Sequence, residues 1–328
     1  MAKSLSRHPG NLQMAKVSCG HETCSANSTV TTPRQIIPGR YWMITRRCTQ
    51  RQFLLRPCTT TIAYFEYCLG LAAERSGVQV VAFLAMSNHY HAVVFDPLGR
   101  LPVLLECFNK LLARALNAHW GRWENFWSSE AACATHLATP EDVLEKVFYV
   151  LANPVADHLV DRVVDWPGAN SLTAMLSGNP IRVQRPRGFF RENGPTPGEI
   201  SLHLVRPPGF ERHSNEAWSD FVRDQLASIE AQNRRARVAK GVKLFGKKAV
   251  LRDSIFDSPS TSEPRRNLRP ALACKNSQAR ILAIRSLRAF RLAYLCARQQ
   301  LAKGMAGVVF PLGTYRMRLL GMTCAAPS

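Results

Sequence analysis

"MSNHYHAVVF", residues 86–95, sets two histidines one residue apart at the head of an apolar run. Side chains of a β-strand alternate between its faces, so a strand over 89–95 turns His89 and His91 to one face and Tyr90 to the other. The run before it, VQVVAFLAM at 78–86, is rich in β-branched residues and reads as a second strand. Only Ser87 and Asn88 lie between them, which predicts a hairpin.

Working outward, RYWMITRRC from Arg40 to Cys48 reads as a strand. Thr59 to Ser76 reads as a helix, with Ile62, Phe65, Leu69 and Ala73 at helical spacing and Gly77 as its stop. LPVLLECFNKLLARALNAHW, 101–120, is a long amphipathic helix, and EAACATHLAT, 130–139, is a weaker strand. The order β-α-β-β-α-β predicts an α+β fold, a ferredoxin-like antiparallel sheet with its helices on one face.

A further helix follows. Thr139 suits the N-cap, Pro140 the first helical position, and Glu141 and Asp142 the positive end of the helix. Its pattern runs through VLEKVFYVLAN until Pro154 kinks or ends it. Tyr149 and Asn153, four residues apart, share one face.

Two imidazoles at i and i+2 form a ready pair of metal ligands, although a lone HxH is more often two histidines packed on a sheet. A tyrosine at helical spacing is ordinarily a half-buried core residue. Beside a cation that polarises a phosphate, the same phenol can attack phosphorus. The Asn153 amide oxygen then serves as a third, hard ligand, and coordination positions stay open for the phosphate.

The composition bears on partners. The chain has 328 residues and a net charge of +20. Residues 1–180 carry 16 Lys+Arg against 13 Asp+Glu, and residues 181–328 carry 27 against 10. The excess is therefore concentrated in the second half, as expected of a polyanion-binding region. No apolar stretch reaches the roughly 18 residues of a membrane span, and the N-terminus lacks the apolar block of a secretory signal. A cytoplasmic protein without a membrane partner is expected. The ten cysteines include no CxxC pair and read as reduced thiols. Cys19, His21 and Cys24 have irregular spacing and no second half, so zinc is not expected there.

SNHYH resembles the HUH motif (His, bulky residue, His) of single-strand DNA endonucleases. YVLANPVADHLV followed by DWPGANS resembles the tyrosine-helix signature of REP-associated tyrosine transposases, relatives of single-tyrosine insertion-sequence transposases. YWMITRRCTQRQFLL is similar to that family's first strand and turn, so the resemblance spans roughly residues 33–172. It implies that His89 and His91 bind Mg²⁺ or Mn²⁺, with Asn153 at the third-ligand position. It implies that Tyr149 attacks a DNA phosphate, giving a 5′-phosphotyrosine and a free 3′-OH. The implied partner is single-stranded or hairpin DNA, bound by a monomer or a homodimer. The chain departs from the pattern at Ser87, where the family commonly has proline, at Tyr90, which is polar at its tip, and at Asn153, which precedes a proline.

The expected organisation is a disordered tail over 1–32, the endonuclease domain over 33–172, a linker over 173–215 and a basic, mainly helical accessory region over 216–328. Arg46, Arg47, Arg51 and Arg56, together with Arg285, Arg288 and Arg291 on a second-half helix, are candidate DNA contacts. Trp120, Trp123, Phe126 and Trp127 either stack unpaired bases or, the favoured reading, close the core. Two other activities compete: a non-cleaving DNA-binding regulator that keeps the fold, and a zinc hydrolase that uses the histidines.

Overall fold

A computed structural model describes residues 32–261 and 270–326. Cys19, His21, Cys24 and the tail over 1–31 lie outside the described residues. The chain divides into Met1–Thr32 and Pro33–Ser328, and the fold is that of the second unit.

Its elements run β1 (Arg40–Arg47), α1 (Thr59–Ser76), β2 (Gln79–Ala85), β3 (His89–Asp96), α2 (Leu101–His119), β4 (Cys133–Leu137), α3 (Pro140–Ala156), α4 (Leu172–Ser177), β5 (Ile181–Gln184), β6 (Glu199–Leu202), α5 (Asn215–Ala239), α6 (Lys247–Arg252), β7 (Leu272–Ala273), α7 (Ser277–Ala302) and α8 (Tyr315–Leu319). The main sheet has the order β2-β3-β1-β4-β7, antiparallel except where β7 joins β4. Its first four strands, with α1 and α2, are the expected ferredoxin-like βαββαβ unit.

Alternation along the strands divides the core. Trp42 and Ile44 of β1, with Tyr90, Ala92 and Val94 of β3, pack beneath α1 and α2, against Phe65, Leu69, Phe108 and Leu112. Val81, Leu84 and Val93 point the other way and meet Val143, Val147, Val150 and Leu151 of α3. The two ferredoxin helices therefore share one face, and the additional helix α3 covers the opposite one. His89 and His91 belong to that second face by parity with Val93.

Local chemistry fixes the ends of the helices that carry the site. Gly77 caps α1 at φ 70°, a left-handed conformation that glycine adopts at little cost. In α3, Thr139 and Asp142 form a reciprocal capping box with Pro140 in the first turn. The helix does not end at Pro154 but continues to Ala156. The proline sits within the last turn, where few intrahelical bonds remain to be lost, and the Asp157 amide still reaches the Asn153 carbonyl at 3.0 Å.

The segment expected to be a linker, 173–215, is built into the body. Strands β5 and β6 form a hairpin whose Ile200 lies against Gly70 of α1, where a Cβ would stand 2.3 Å from the Ile200 side chain. Tyr64 and Tyr67 of α1 donate to the carbonyls of Arg187 and Pro197, at 2.6 and 2.5 Å. The loop signal from Pro, Gly and Arg was real for 185–198 but hid two four-residue strands. The DWPGANS stretch lies along the β2 edge: Ala85 donates to the Ala169 carbonyl (2.8 Å) and Ser171 to the Phe83 carbonyl (3.0 Å). An exposed strand edge is thereby covered.

The basic region is helical, as expected, but it is not detached. Trp218, Val222 and Leu226 of α5 are buried against α3, and the Phe148 and Phe221 rings lie 6.0 Å apart. Arg234 and Arg237 pair with Asp161 at 2.9 and 3.0 Å. By contrast α7 buries only Phe290, Tyr294 and Ala297, the last two against Val308 and Phe310. Trp218 is 3% exposed. Trp218→Ala is therefore expected to destabilise the folded chain by about 3–5 kcal/mol in urea unfolding. A change within about 0.5 kcal/mol, typical of surface positions, would show that α5 does not support α3.

Candidate active site on the α3 face of the sheet

The β1–β3 register places Thr45 opposite His91, Arg46 opposite Tyr90 and Arg47 opposite His89. Residues directly opposite in an antiparallel pair point to the same face. Thr45, Arg47, His89 and His91 therefore gather on the α3 side, while Arg46 and Tyr90 go to the other. From α3 the Tyr149 ring comes down onto His91, centroids 5.5 Å apart, and His91 lies 4.8 Å from His89. Asn153, one turn later, is buried. The two motifs are thus one constellation, on two elements far apart in sequence.

The imidazoles are oriented by their neighbours. His89 Nδ1 lies 2.6 Å from Asn88 Oδ1, and His91 Nδ1 lies 2.8 Å from Thr45 Oγ1. An amide oxygen only accepts, so His89 Nδ1 carries the proton and Nε2 carries the lone pair. The Thr45 hydroxyl can hold His91 in the same tautomer, the arrangement in which an outer partner presents Nε2 to a metal. Burial, then the neighbouring His89 and Arg47, hold the His91 pKa well below the usual histidine value, so it is a neutral donor at pH 7.

Tyr149 is 47% exposed, unusual for a large aromatic on the face of a helix that packs on a sheet. Burial of its inner side, then Asp157, raise its pKa, while the Asn153 side chain and Arg47 act in the opposite direction. The phenol is protonated at neutral pH, so ionising it needs added positive charge. Lys146 Nζ stands 5.3 Å from its ring centroid and is also bonded to Glu145 at 3.2 Å.

Asn153 Oδ1 is buried and has no hydrogen-bond partner among the described residues. Such an orphaned acceptor is costly, about 1–3 kcal/mol, and its place beside two oriented imidazoles fits a position for a cation ligand. No group of three or more His, Cys, Asp and Glu side chains is brought together among the described residues. The donors on offer are therefore two imidazoles and an amide oxygen, a set that leaves several coordination positions open.

The arginines separate. Arg47 is exposed at the site. Arg46 lies on the far face of the sheet, with its guanidinium 5.7 Å from the Trp127 ring. Arg51 has φ 58° and donates to the Thr261 carbonyl at 2.6 Å, and Arg56 donates to the Leu251 carbonyl at 3.2 Å. Arg285, Arg288 and Arg291 are exposed on α7. Tyr90 is buried, donates to Asn109 at 3.0 Å and has its pKa raised by burial. Phe126 and Trp127 are core residues, whereas Trp123 is 88% exposed. Thr45 has no signal in the sequence and Arg47 was expected only as a DNA contact, because the strand register alone sets either beside the histidines. Asn88 adjoins His89 in sequence and was legible there.

No family model matches the chain, and no curated protein does. Among solved structures, a REP-associated tyrosine transposase bound to a REP hairpin matches at 18% identity over 49% of this chain and 88% of that one, with a TM-score of 0.38. A candidate transposase from Deinococcus radiodurans R1 matches at 16% identity over 36% of this chain and 93% of that one, with a TM-score of 0.27.

The orphaned amide oxygen yields a test. Asn153→Leu removes the unpaired acceptor at similar volume, so the melting temperature should hold or rise, by about 2–4 °C for each kcal/mol relieved. A fall of several degrees would show that Asn153 is held for the fold rather than for a ligand.

Proposed function

We propose that the chain is a metal-dependent single-stranded DNA endonuclease and strand transferase of the tyrosine-transposase type. The observation that carries this reading is the contact of Tyr149 with the His91–His89 pair, made between α3 and β3.

In this reading Tyr149 Oη attacks a backbone phosphorus. The new bond joins the phenolic oxygen to phosphorus, and the bond from phosphorus to the 3′-oxygen breaks. The phenolic proton passes to solvent, the 3′-oxygen leaves and takes a proton to become a 3′-OH, and the strand stays attached as a 5′-phosphotyrosine. A 3′-OH attacking that phosphotyrosine reverses the steps and rejoins a strand with no nucleotide cofactor, because the phosphodiester energy is conserved in the intermediate. Mg²⁺ or Mn²⁺ held by His89, His91 and Asn153 would polarise the phosphate. Arg47, opposite His89, offsets phosphate charge and favours the phenolate. The half-exposed setting of Tyr149 suits a nucleophile that must meet a polymeric substrate.

The partner in this reading is single-stranded or hairpin DNA. Helix α7 supplies a phosphate-binding surface: Arg280, Arg285, Arg288, Arg291 and Arg298 fall in a helix of 26 residues without an acidic side chain. No described helix is long and apolar enough to cross a membrane.

Incubation with labelled single-stranded hairpin DNA and Mg²⁺ or Mn²⁺ should yield a protein–DNA adduct that survives denaturation. His89→Ala, His91→Ala, Tyr149→Phe and EDTA should each remove it while leaving DNA binding within about threefold of wild type. Binding with no adduct from the wild type, across a library of hairpins, would instead favour the non-cleaving regulator. An adduct that persists in EDTA would contradict the metal role.

The α7 surface has its own measurement. Each single-strand phosphate neutralised contributes about 0.7 to the slope of log affinity against log salt, so replacing Arg285, Arg288 and Arg291 together by alanine should make that slope shallower by about 2. An unchanged slope would show that α7 does not touch the strand.

A further inference from the structure

Away from the histidine–tyrosine site, a cavity of about 410 Å³ opens between α1, the 168–170 segment, α4 and the start of β5. Gly168, Pro180 and Ile181 give it apolar walls, and Glu66, Thr173 and Asn179 bring polar groups to it. The Glu66 carboxyl is partly withdrawn from water, and no hydrogen bond or ion pair to the described residues satisfies it. Burial alone pushes its pKa up to about 7. The nearby Asn170 does not help, because its amide is spent on the Gly168 carbonyl and the Leu172 amide, at 2.9 and 3.0 Å. An unpaired carboxyl beside empty space is a costly arrangement unless a donor comes to it.

We propose that this cavity binds a guanine base, read by Glu66 through the adjacent N1–H and N2–H donors of the base. A carboxylate offers two parallel acceptors. Among the four DNA bases, guanine alone sets two N–H donors side by side. Adenine and cytosine each place a donor next to a ring-nitrogen acceptor, and thymine places one N–H between two carbonyls. The Thr173 hydroxyl and the Asn179 amide supply donors for the acceptor edge of guanine. The chain's net charge of +20 favours a ligand that carries phosphate. The cavity adjoins the strand edge that leads to the site: Gly168 lines it, the next residue's carbonyl accepts from Ala85, and His89 follows four residues after Ala85.

The guanine comes either from the DNA strand, in which case the site rests on the function proposed above, or from a free guanine nucleotide, in which case it does not. The test uses the full-length protein with a thymine homopolymer carrying one guanine, or one inosine in its place, and separately with guanosine and inosine monophosphates. Inosine lacks the N2 amino group. Wild type should bind the guanine ligand about tenfold more tightly than its inosine counterpart, as for one well-placed bidentate pair. Glu66→Gln should erase that preference, because an amide presents one acceptor and one donor. Tyr149→Phe should keep it, which separates this site from the nucleophile. A preference seen only in the homopolymer assigns the guanine to the strand, and one seen equally with the monophosphate assigns it to a free nucleotide. Glu66→Gln should melt no lower than wild type. If it does melt lower, Glu66→Ala, measured at a temperature where it is folded, carries the test and should also erase the preference, whereas Asn179→Ala should weaken guanine and inosine alike because both bases keep the O6 and N7 acceptors. Equal binding of guanine and inosine by wild type, or a preference that survives in both Glu66→Gln and Glu66→Ala, overturns the proposal.

Discussion

The pairing of β1 with β3 is the constraint on which the rest depends. Its register puts Trp42 and Ile44 under α1 and α2 and, on the opposite face, brings Thr45 and Arg47 beside His91 and His89. A slip of one residue would turn Trp42 away from the core and set Arg46 against the histidines. Exposing Trp42, Ile44 or their neighbours costs about 1.5–3 kcal/mol for each large apolar side chain. The same burial that holds the sheet together therefore fixes the chemistry of its other face.

The fold of residues 40–156 was legible because its signals are local. Gly77 stops α1, Ser87-Asn88 makes the β2–β3 turn, and Thr139-Pro140 with Asp142 starts α3. The site was legible in parts. Parity within β3 and four-residue spacing within α3 each gave half of it, but nothing in either stretch says that α3 crosses the histidine face. The place of Thr45 and Arg47 beside the histidines depended on a cross-strand register that one strand does not encode. Strands β5 and β6 were hidden for a different reason. Each is four residues long, and each is stabilised by the face of α1 it covers rather than by its own pattern. Glu66 was invisible because a single glutamate in a helical repeat reads as solvated, and only the packing around it shows otherwise.

Two of the unpaired polar groups among the described residues bear on ligand binding. Asn153 Oδ1 is a buried acceptor without a donor, and the Glu66 carboxyl is a half-buried acid without a partner. Folding alone rewards neither. Both lie where a ligand can arrive, the first beside oriented imidazoles and the second in an open cavity. The cost of each is offset elsewhere, by α5 closing over α3 through Trp218 and by the DWPGANS segment sealing the β2 edge. On this account the second half of the chain has two functions. Helix α5 stabilises the helix that carries Tyr149, and α7 is left exposed with its arginines.

In the proposed reaction Tyr149, set against His91 and His89, is the residue that joins DNA. Peptide mapping by mass spectrometry of protein trapped on single-stranded DNA, after nuclease digestion of the strand, tests it most directly. A 5′-phosphonucleotide mass is expected on the peptide containing Tyr149 and none on the buried Tyr90. A nucleotide mass on any other side chain would contradict it.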